Sequence, residues 1–165
     1  MHVFKNKDRG MGRKIDKNRT NKLEVAKNVE NQKNIVENPA SDFKYNVNDS
    51  GDGIIITKYV GSATKVVIPA MIENLPVTKI GEWAFSGRNS LTEIVIPDSV
   101  TKIGESAFYG CSSLTGIVIP DSVTKIGESA FMDCSSLAEI VIPDSVTYIG
   151  WAAFSGCSGK ILRTT

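Results

Sequence analysis

The chain has 165 residues, 41% apolar and 22% charged, with 19 Lys and Arg against 18 Asp and Glu. This composition supports one hydrophobic core, and a net charge of +1 excludes a polyanion binder driven by bulk charge. A single histidine, His2, removes most His-based triads, His-rich metal sites and general-base schemes, and 7% aromatic residues are thin for an aromatic-lined pocket.

Charge divides the chain near residue 41. Residues 1–41 hold 10 Lys and Arg against 5 Asp and Glu, whereas residues 42–165 hold 9 against 13. The first segment is rich in Asn and Lys, has Phe4 as its one aromatic residue and shows no sustained apolar period. It reads as a polar, basic, disordered tail. Its opening residues lack the apolar stretch of a secretory signal, and no apolar run in the chain is long enough for membrane insertion. A weak helical patch around Leu23, Ala26 and Val29 is opposed by Asn28, Asn31 and Asn34. Arg13, Lys14, Lys17 and Arg19 are candidate phosphate contacts, but Asp8, Asp16, Glu24 and Glu30 lie among them and no aromatic platform accompanies them. A solvated leader is the favoured reading over nucleic-acid contact.

Residues 42–68 read as a capping hairpin and a first strand. Phe43 to Val47 alternates, Asn48 to Gly53 is a turn cluster, and Ile54 to Val60 is a second β-rich run. The hairpin is expected to cover the apolar end of the array that follows. Its turn has the outline of a calcium loop, but Asn48 replaces the first Asp and Tyr59 stands where the bidentate Glu belongs, so no metal is expected. Val66 to Pro69 then opens an altered first repeat, in which five extra residues precede Val77.

Residues 69–165 repeat themselves. Ile80, Ile103, Ile126 and Ile149 are each 23 residues apart, and three copies run Leu91 to Ser113 (LTEIVIPDSVTKIGESAFYGCSS), Leu114 to Ser136 and Leu137 to Gly159. Such a period with a Leu-x-x-Ile-x-Ile core marks a solenoid, whose units bury their apolar sides only by stacking. Within a unit, pleat alternation turns Leu91, Ile94 and Ile96 inward and Glu93 and Val95 outward, and Pro97 ends the strand for want of an amide. Asp98-Ser99 turns the chain, Val100 and Ile103 return inward, and Gly104 permits a corner. Glu105 to Tyr109 reads as one helical turn inserting Ala107 and Phe108. Gly110 ends it in the left-handed region, as do Gly87, Asp133 and Gly156 at the equivalent places. The expected fold is a β-rich solenoid of 23-residue leucine-rich repeats with short helical turns, an N-terminal hairpin cap and a basic tail.

The run IVIPDSVTKIGESAFYGCSSL, with the entry segment GSATKVVIPAMIENLPVTKIGEWAFSG, resembles the BspA-like, or Treponema pallidum-type, class of bacterial leucine-rich repeats over residues 42–162. The resemblance implies a curved, right-handed, non-catalytic solenoid used for protein attachment, frequently on cell surfaces, though such proteins usually carry export signals. Arg88 departs from the pattern, occupying the slot held by Cys111, Cys134 and Cys157.

The three cysteines should form one column of parallel thiols about 4.8 Å apart, packed in the core as small hydrophobes. Arg88 is expected where the first coil is looser or partly exposed. Asp98 and Asp121 read as turn formers, and no cofactor-binding motif appears. The strand face presents Val67, Val95, Val118 and Val141, flanked by Thr92, Glu93, Thr115, Ala138 and Glu139. An outward valine column reads either as a protein-contact surface or as β-branched ladder packing. On the other edge Lys79, Lys102 and Lys125 give way to Tyr148, and Glu82, Glu105 and Glu128 to Trp151. Lys160 to Thr165 is too short for another coil, so the last coil is expected to be nearly bare, with Tyr148 and Trp151 as an edge for self-association. The leading reading is a non-catalytic protein-binding module, adhesin-like where displayed on a surface. The alternative is an intracellular regulator of a protein or nucleoprotein assisted by the basic tail.

Overall fold

A computed structural model describes residues 35–164. Arg13, Lys14, Lys17 and Arg19 lie outside them. In chain order the strands are β1 (Phe43–Val47), β2 (Ile54–Tyr59), β3 (Lys65–Val67), β4 (Met71–Ile72), β5 (Leu75–Ile80) and β6 (Glu93–Val95). They continue as β7 (Lys102–Ile103), β8 (Gly116–Val118), β9 (Lys125–Ile126), β10 (Glu139–Ile142), β11 (Tyr148–Ile149) and β12 (Lys160–Arg163).

Two ladders run along the stack. The first has the order β1-β2-β5-β7-β9-β11, antiparallel in the β1/β2 hairpin and parallel thereafter. Its register aligns Ile56, Ile80, Ile103, Ile126 and Ile149, so the 23-residue period is the coil length of a solenoid. The second ladder consists of β3-β6-β8 and a separate pair, β10-β12. Leu91, Ile94, Ile96 and their equivalents are buried, while Glu93 and Val95 face out, as the pleat requires. Strands β6, β8 and β10 stop before Pro97, Pro120 and Pro143, which have no N–H for the next coil.

An aromatic stack runs through the core. Tyr59, Phe85, Phe108, Phe131 and Phe154 lie ring over ring, with centroids 5.4, 5.1, 5.1 and 5.4 Å apart. Spacings this close to the roughly 4.8 Å strand repeat follow from the four phenylalanines, each 23 residues from the next, stacking in register, with Tyr59 of β2 capping them.

The segment expected to be a helical turn takes another form. The N–H groups of Ser106, Phe108 and Gly110 donate to the carbonyls of Glu128, Ala130 and Met132 in the next coil, at 2.9, 2.8 and 2.8 Å. Those of Ala107, Tyr109 and Cys111 turn back to Gly104, Ser106 and Phe108. A backbone that alternates between neighbouring coil and own turn cannot be an α-helix, whose amides all point one way. It needs left-handed residues at intervals. Gly87, Gly110, Asp133 and Gly156 supply one column, with φ of 69°, 68°, 60° and 76°, at the four places read from sequence. Trp83, Ser106, Ser129 and Ala152 supply a second, with φ of 58°, 51°, 52° and 54°, where residue type gives no such signal.

The N-terminal end is closed by β2, which joins the parallel ladder, and by β1 outside it. The five extra residues of the first repeat form a tight hairpin between β4 and β5, turned by Glu73 (φ 51°) and Asn74 (φ 65°). Glu37 and Asn38, which the sequence places in the polar tail, dock on the second ladder. Asn38 donates its N–H to the Val67 carbonyl at 2.9 Å and accepts the Val67 N–H on Oδ1 at 2.8 Å, and a Glu37 carboxylate oxygen accepts the Ala70 N–H at 3.0 Å. One asparagine thus covers the outer edge of β3.

At the opposite end the last coil is covered on one side and remains bare on the other, as expected of it. Lys160–Arg163 forms a parallel strand against β10, in register from Glu139↔Lys160 to Ile142↔Arg163. Of the Leu-x-x-Ile-x-Ile pattern these residues keep only Ile161, in register with Ile140, and the edge of β10 offers them a ready ladder. Tyr148 and Trp151 belong to the other half of that coil, 49% and 79% exposed.

Candidate protein interface

The valines chosen from sequence fall into one outward column. Val67, Val95 and Val118 are partners in register across β3, β6 and β8. Val141 follows on β10 and is extended by Leu162 on β12, a member the sequence reading missed because so little of the repeat motif surrounds it. Beside this column runs a charged one, Lys65, Glu93, Glu139 and Lys160, interrupted by Gly116. Lys65 and Glu93 form an ion pair of 2.7 Å, and among the described residues neither Glu139 nor Asp121 has an ion-pair partner. Tyr148 and Trp151 are not brought to this face; Tyr148 is in register with Lys125 on the first ladder.

The face is not uniform along its length. Thr92 donates both its N–H and its Oγ1–H to the Thr64 carbonyl, at 2.7 and 3.0 Å, and Thr115 repeats this on Thr92 at 3.0 and 3.2 Å. In the next coil the equivalent residue is Ala138, which has no hydroxyl, and the Thr115 carbonyl receives neither bond. Gly116, which adds no side chain and weakens a strand, stands at the charged position of the same seam. The ladder accordingly lapses between β8 and β10 while the first ladder continues unbroken through β9 and β11. Ala138→Thr is expected to restore the clip and raise stability by about 0.5–1 kcal/mol; the urea midpoint and slower amide exchange at Glu139 check it.

Shallow grooves open on both sides of β8. One of about 380 Å³ lies towards β10, over Ile117, Ile119, Val141 and Pro143, with Asp121 and Glu139 at its walls. The other, about 330 Å³, lies over Gly116, reaching from Glu93 and Val95 on β6 to Glu139 on β10. Val118 stands between them 76% exposed, against 38% for Val95 and 40% for Val141. Substitution at two repeat positions thus turns a regular sheet face into a ridge with an apolar hollow on each flank.

Two of the three cysteines lie inside. Cys111, Cys134 and Cys157 are free thiols, the first two buried, and each Sγ–H donates at 3.1 Å to the carbonyl of Phe85, Phe108 or Phe131 in the preceding coil. Arg88 fills the first place in this column, half-buried. Its guanidinium donates to the Tyr59 carbonyl and lies 5.4 Å from the Tyr59 ring centre, making the bond a thiol makes elsewhere. Burial pushes the Cys111 thiol up to about 11, and burial also raises Cys134 and Cys157. The folded chain therefore keeps protons that the unfolded chain releases. This contribution to stability is complete below pH 9 and is lost as pH rises towards about 11. Urea midpoints on either side of that window should show the fall, less steeply in a Cys111→Val variant. Among the described residues no cluster of His, Cys, Asp and Glu could hold a metal ion, and no helix is long and apolar enough to cross a membrane.

The model of the BspA type leucine rich repeat region matches residues 58–164 in six copies. The chain is a BspA-type leucine-rich-repeat protein. It is similar to the crystal structure of the T. pallidum leucine rich repeat protein at 36% identity and a TM-score of 0.65, over 74% of this chain and 68% of that one. A leucine-rich repeat protein from Bacteroides capillosus is 29% identical with a TM-score of 0.66, over 78% of this chain and 98% of that one. A leucine rich cell surface protein from Faecalibacterium prausnitzii is 30% identical with a TM-score of 0.61, over 79% of this chain and 43% of that one. No curated protein sequence matches the chain. BspA-type repeats are commonly protein-interaction modules, and this array has the same stacked-coil architecture.

Proposed function

We propose that this BspA-type array is a non-catalytic, adhesin-like module of a bacterial cell surface, binding another protein through its strand face. The carrying observation is the outward column Val67, Val95, Val118, Val141 and Leu162, opened at β8 into a ridge between two apolar hollows. A contiguous exposed apolar feature rimmed by polar side chains is what a docking surface presents. Burial of Cys111 and Cys134 as protonated core thiols takes two of the three strongest nucleophiles away from solvent, which supports a binding role over a catalytic one. The surface location is supported by the likeness to the F. prausnitzii cell surface protein.

The test is capture of surface proteins from the native cells by the immobilised chain and by Val118→Lys. A charge on the ridge is expected to reduce capture about tenfold or more at an unchanged melting temperature. Undiminished capture would overturn the reading. Deletion of residues 1–34 is expected to leave capture intact. Loss on that deletion, with steep salt dependence, would favour the nucleoprotein regulator instead.

A further inference from the structure

The lining of the two hollows has one sign of charge. Glu93, Asp121 and Glu139 contribute carboxylates, and neither hollow is lined by a basic side chain. Glu93 is held by Lys65, which leaves Asp121 and Glu139 as the carboxylates without an ion-pair partner among the described residues, although Lys160 lies in register beside Glu139. An apolar floor with uncompensated carboxylates at its walls attracts a ligand that carries a cation beside its apolar part.

The spacing narrows the shape of that ligand. The hollows share Ile117, Val118 and Glu139 in their linings, so their centres lie no more than about two strand spacings apart, roughly 10 Å. In an extended peptide, side chains i and i+2 share a face and are separated by roughly 6.6 Å. Gly116 keeps the β6-side hollow open: a Cβ built there would meet the Glu93 Cγ at 4.0 Å and nothing nearer.

We propose that the hollows on either side of Val118 take an extended cationic peptide segment of another protein. Two branched apolar side chains at i and i+2 occupy the hollows, and Lys or Arg beyond the β10-side hollow meets Asp121 and Glu139, which both line it. The proposal rests on the strand face being the docking surface and specifies the chemistry of the partner.

The probe is a fluorescein-labelled peptide Lys-Thr-Val-Thr-Val-Thr-Lys, titrated against the full chain by anisotropy. Its comparators are Glu-Thr-Val-Thr-Val-Thr-Glu and Lys-Thr-Ser-Thr-Ser-Thr-Lys. Binding of the first, with both comparators weaker by about tenfold or more, is expected. The double variant Asp121→Asn, Glu139→Gln should lose that preference for the cationic peptide, and Gly116→Val, which fills a hollow that has room for it, should lose binding of all three. Equal binding of the acidic peptide, or unchanged affinity in both variants, would overturn the proposal. So would absence of binding by the cationic probe. If Val118→Lys still abolished capture from native cells in that last case, the strand-face reading would stand and only the cationic partner would fall; if capture too were unaffected, both would fall.

Discussion

Phe108→Ala should lower the unfolding free energy by about 3–5 kcal/mol, the range for removing a fully buried phenylalanine. Phe108 is the middle ring of the five-membered stack, 5.1 Å from both Phe85 and Phe131, and is fully buried. The void would be walled by Phe85 and Phe131, both held by the coil-to-coil hydrogen bonds of their own amides, so it has little freedom to collapse. Because each coil touches only its neighbours, the loss falls on two inter-coil contacts and should uncouple the halves of the array. Trp83 lies in the first repeat and Trp151 in the last full one. In the parent chain the fluorescence of both should change in one urea transition. In Phe108→Ala, single-tryptophan versions should show two separated midpoints. A loss under about 1 kcal/mol with coincident midpoints would mean that the aromatic column does not couple the coils.

Gly127→Ala is expected to cost about 3 kcal/mol or more, an overpacking loss made worse because the obstacle is backbone. A Cβ there would sit 2.6 Å from the Glu105 nitrogen and 2.6 Å from the Gly104 carbonyl carbon. Gly104 stands in the same relation to Gly81, and Gly150 to Gly127, so the corner is a column of glycines laid backbone on backbone. Their value is close approach. Gly110 makes the contrast: its φ is +68° and nothing lies within 4 Å of the Cβ position. Asp133 occupies the equivalent place in the next coil with φ 60°. Gly110→Asp should therefore cost under about 1 kcal/mol, the penalty of a left-handed residue with its own local hydrogen-bonding capacity. Equal losses for the two variants in chemical denaturation would refute this division of labour.

The repeat made much of the architecture readable in advance. A period of 23 with alternating Ile and a following Pro dictates that Ile94, Ile96 and Ile103 bury and Val95 does not, since pleat geometry leaves no other arrangement. Gly87, Gly110, Asp133 and Gly156 announced a left-handed column because those residue types tolerate it. Trp83, Ser106, Ser129 and Ala152 announced nothing; in the first three the residue's own amide bonds to the next coil, while the amides after Trp83, Ser106 and Ala152 turn back to their own coil, an alternation that residue type does not signal. Pairing with a neighbouring coil also explains Lys160–Arg163, four residues that keep only one position of the repeat and become a strand against β10. It explains Arg88 as well, whose guanidinium takes over the bond that thiols make in later coils.

At the candidate interface the valine column was legible, but its interruption was not. Gly116 and Ala138 are visible in the sequence as departures from the repeat; that they fall on the same seam is a matter of register, decided only when coils stack. Local residue preferences and spacing were enough to determine which side chains turn inward and how long each coil is, because both depend on neighbours close in the chain. Which amides are answered, which edge recruits a segment with one repeat position left and where the outer face opens depend on partners some 23 residues away, and only the assembled stack could settle them.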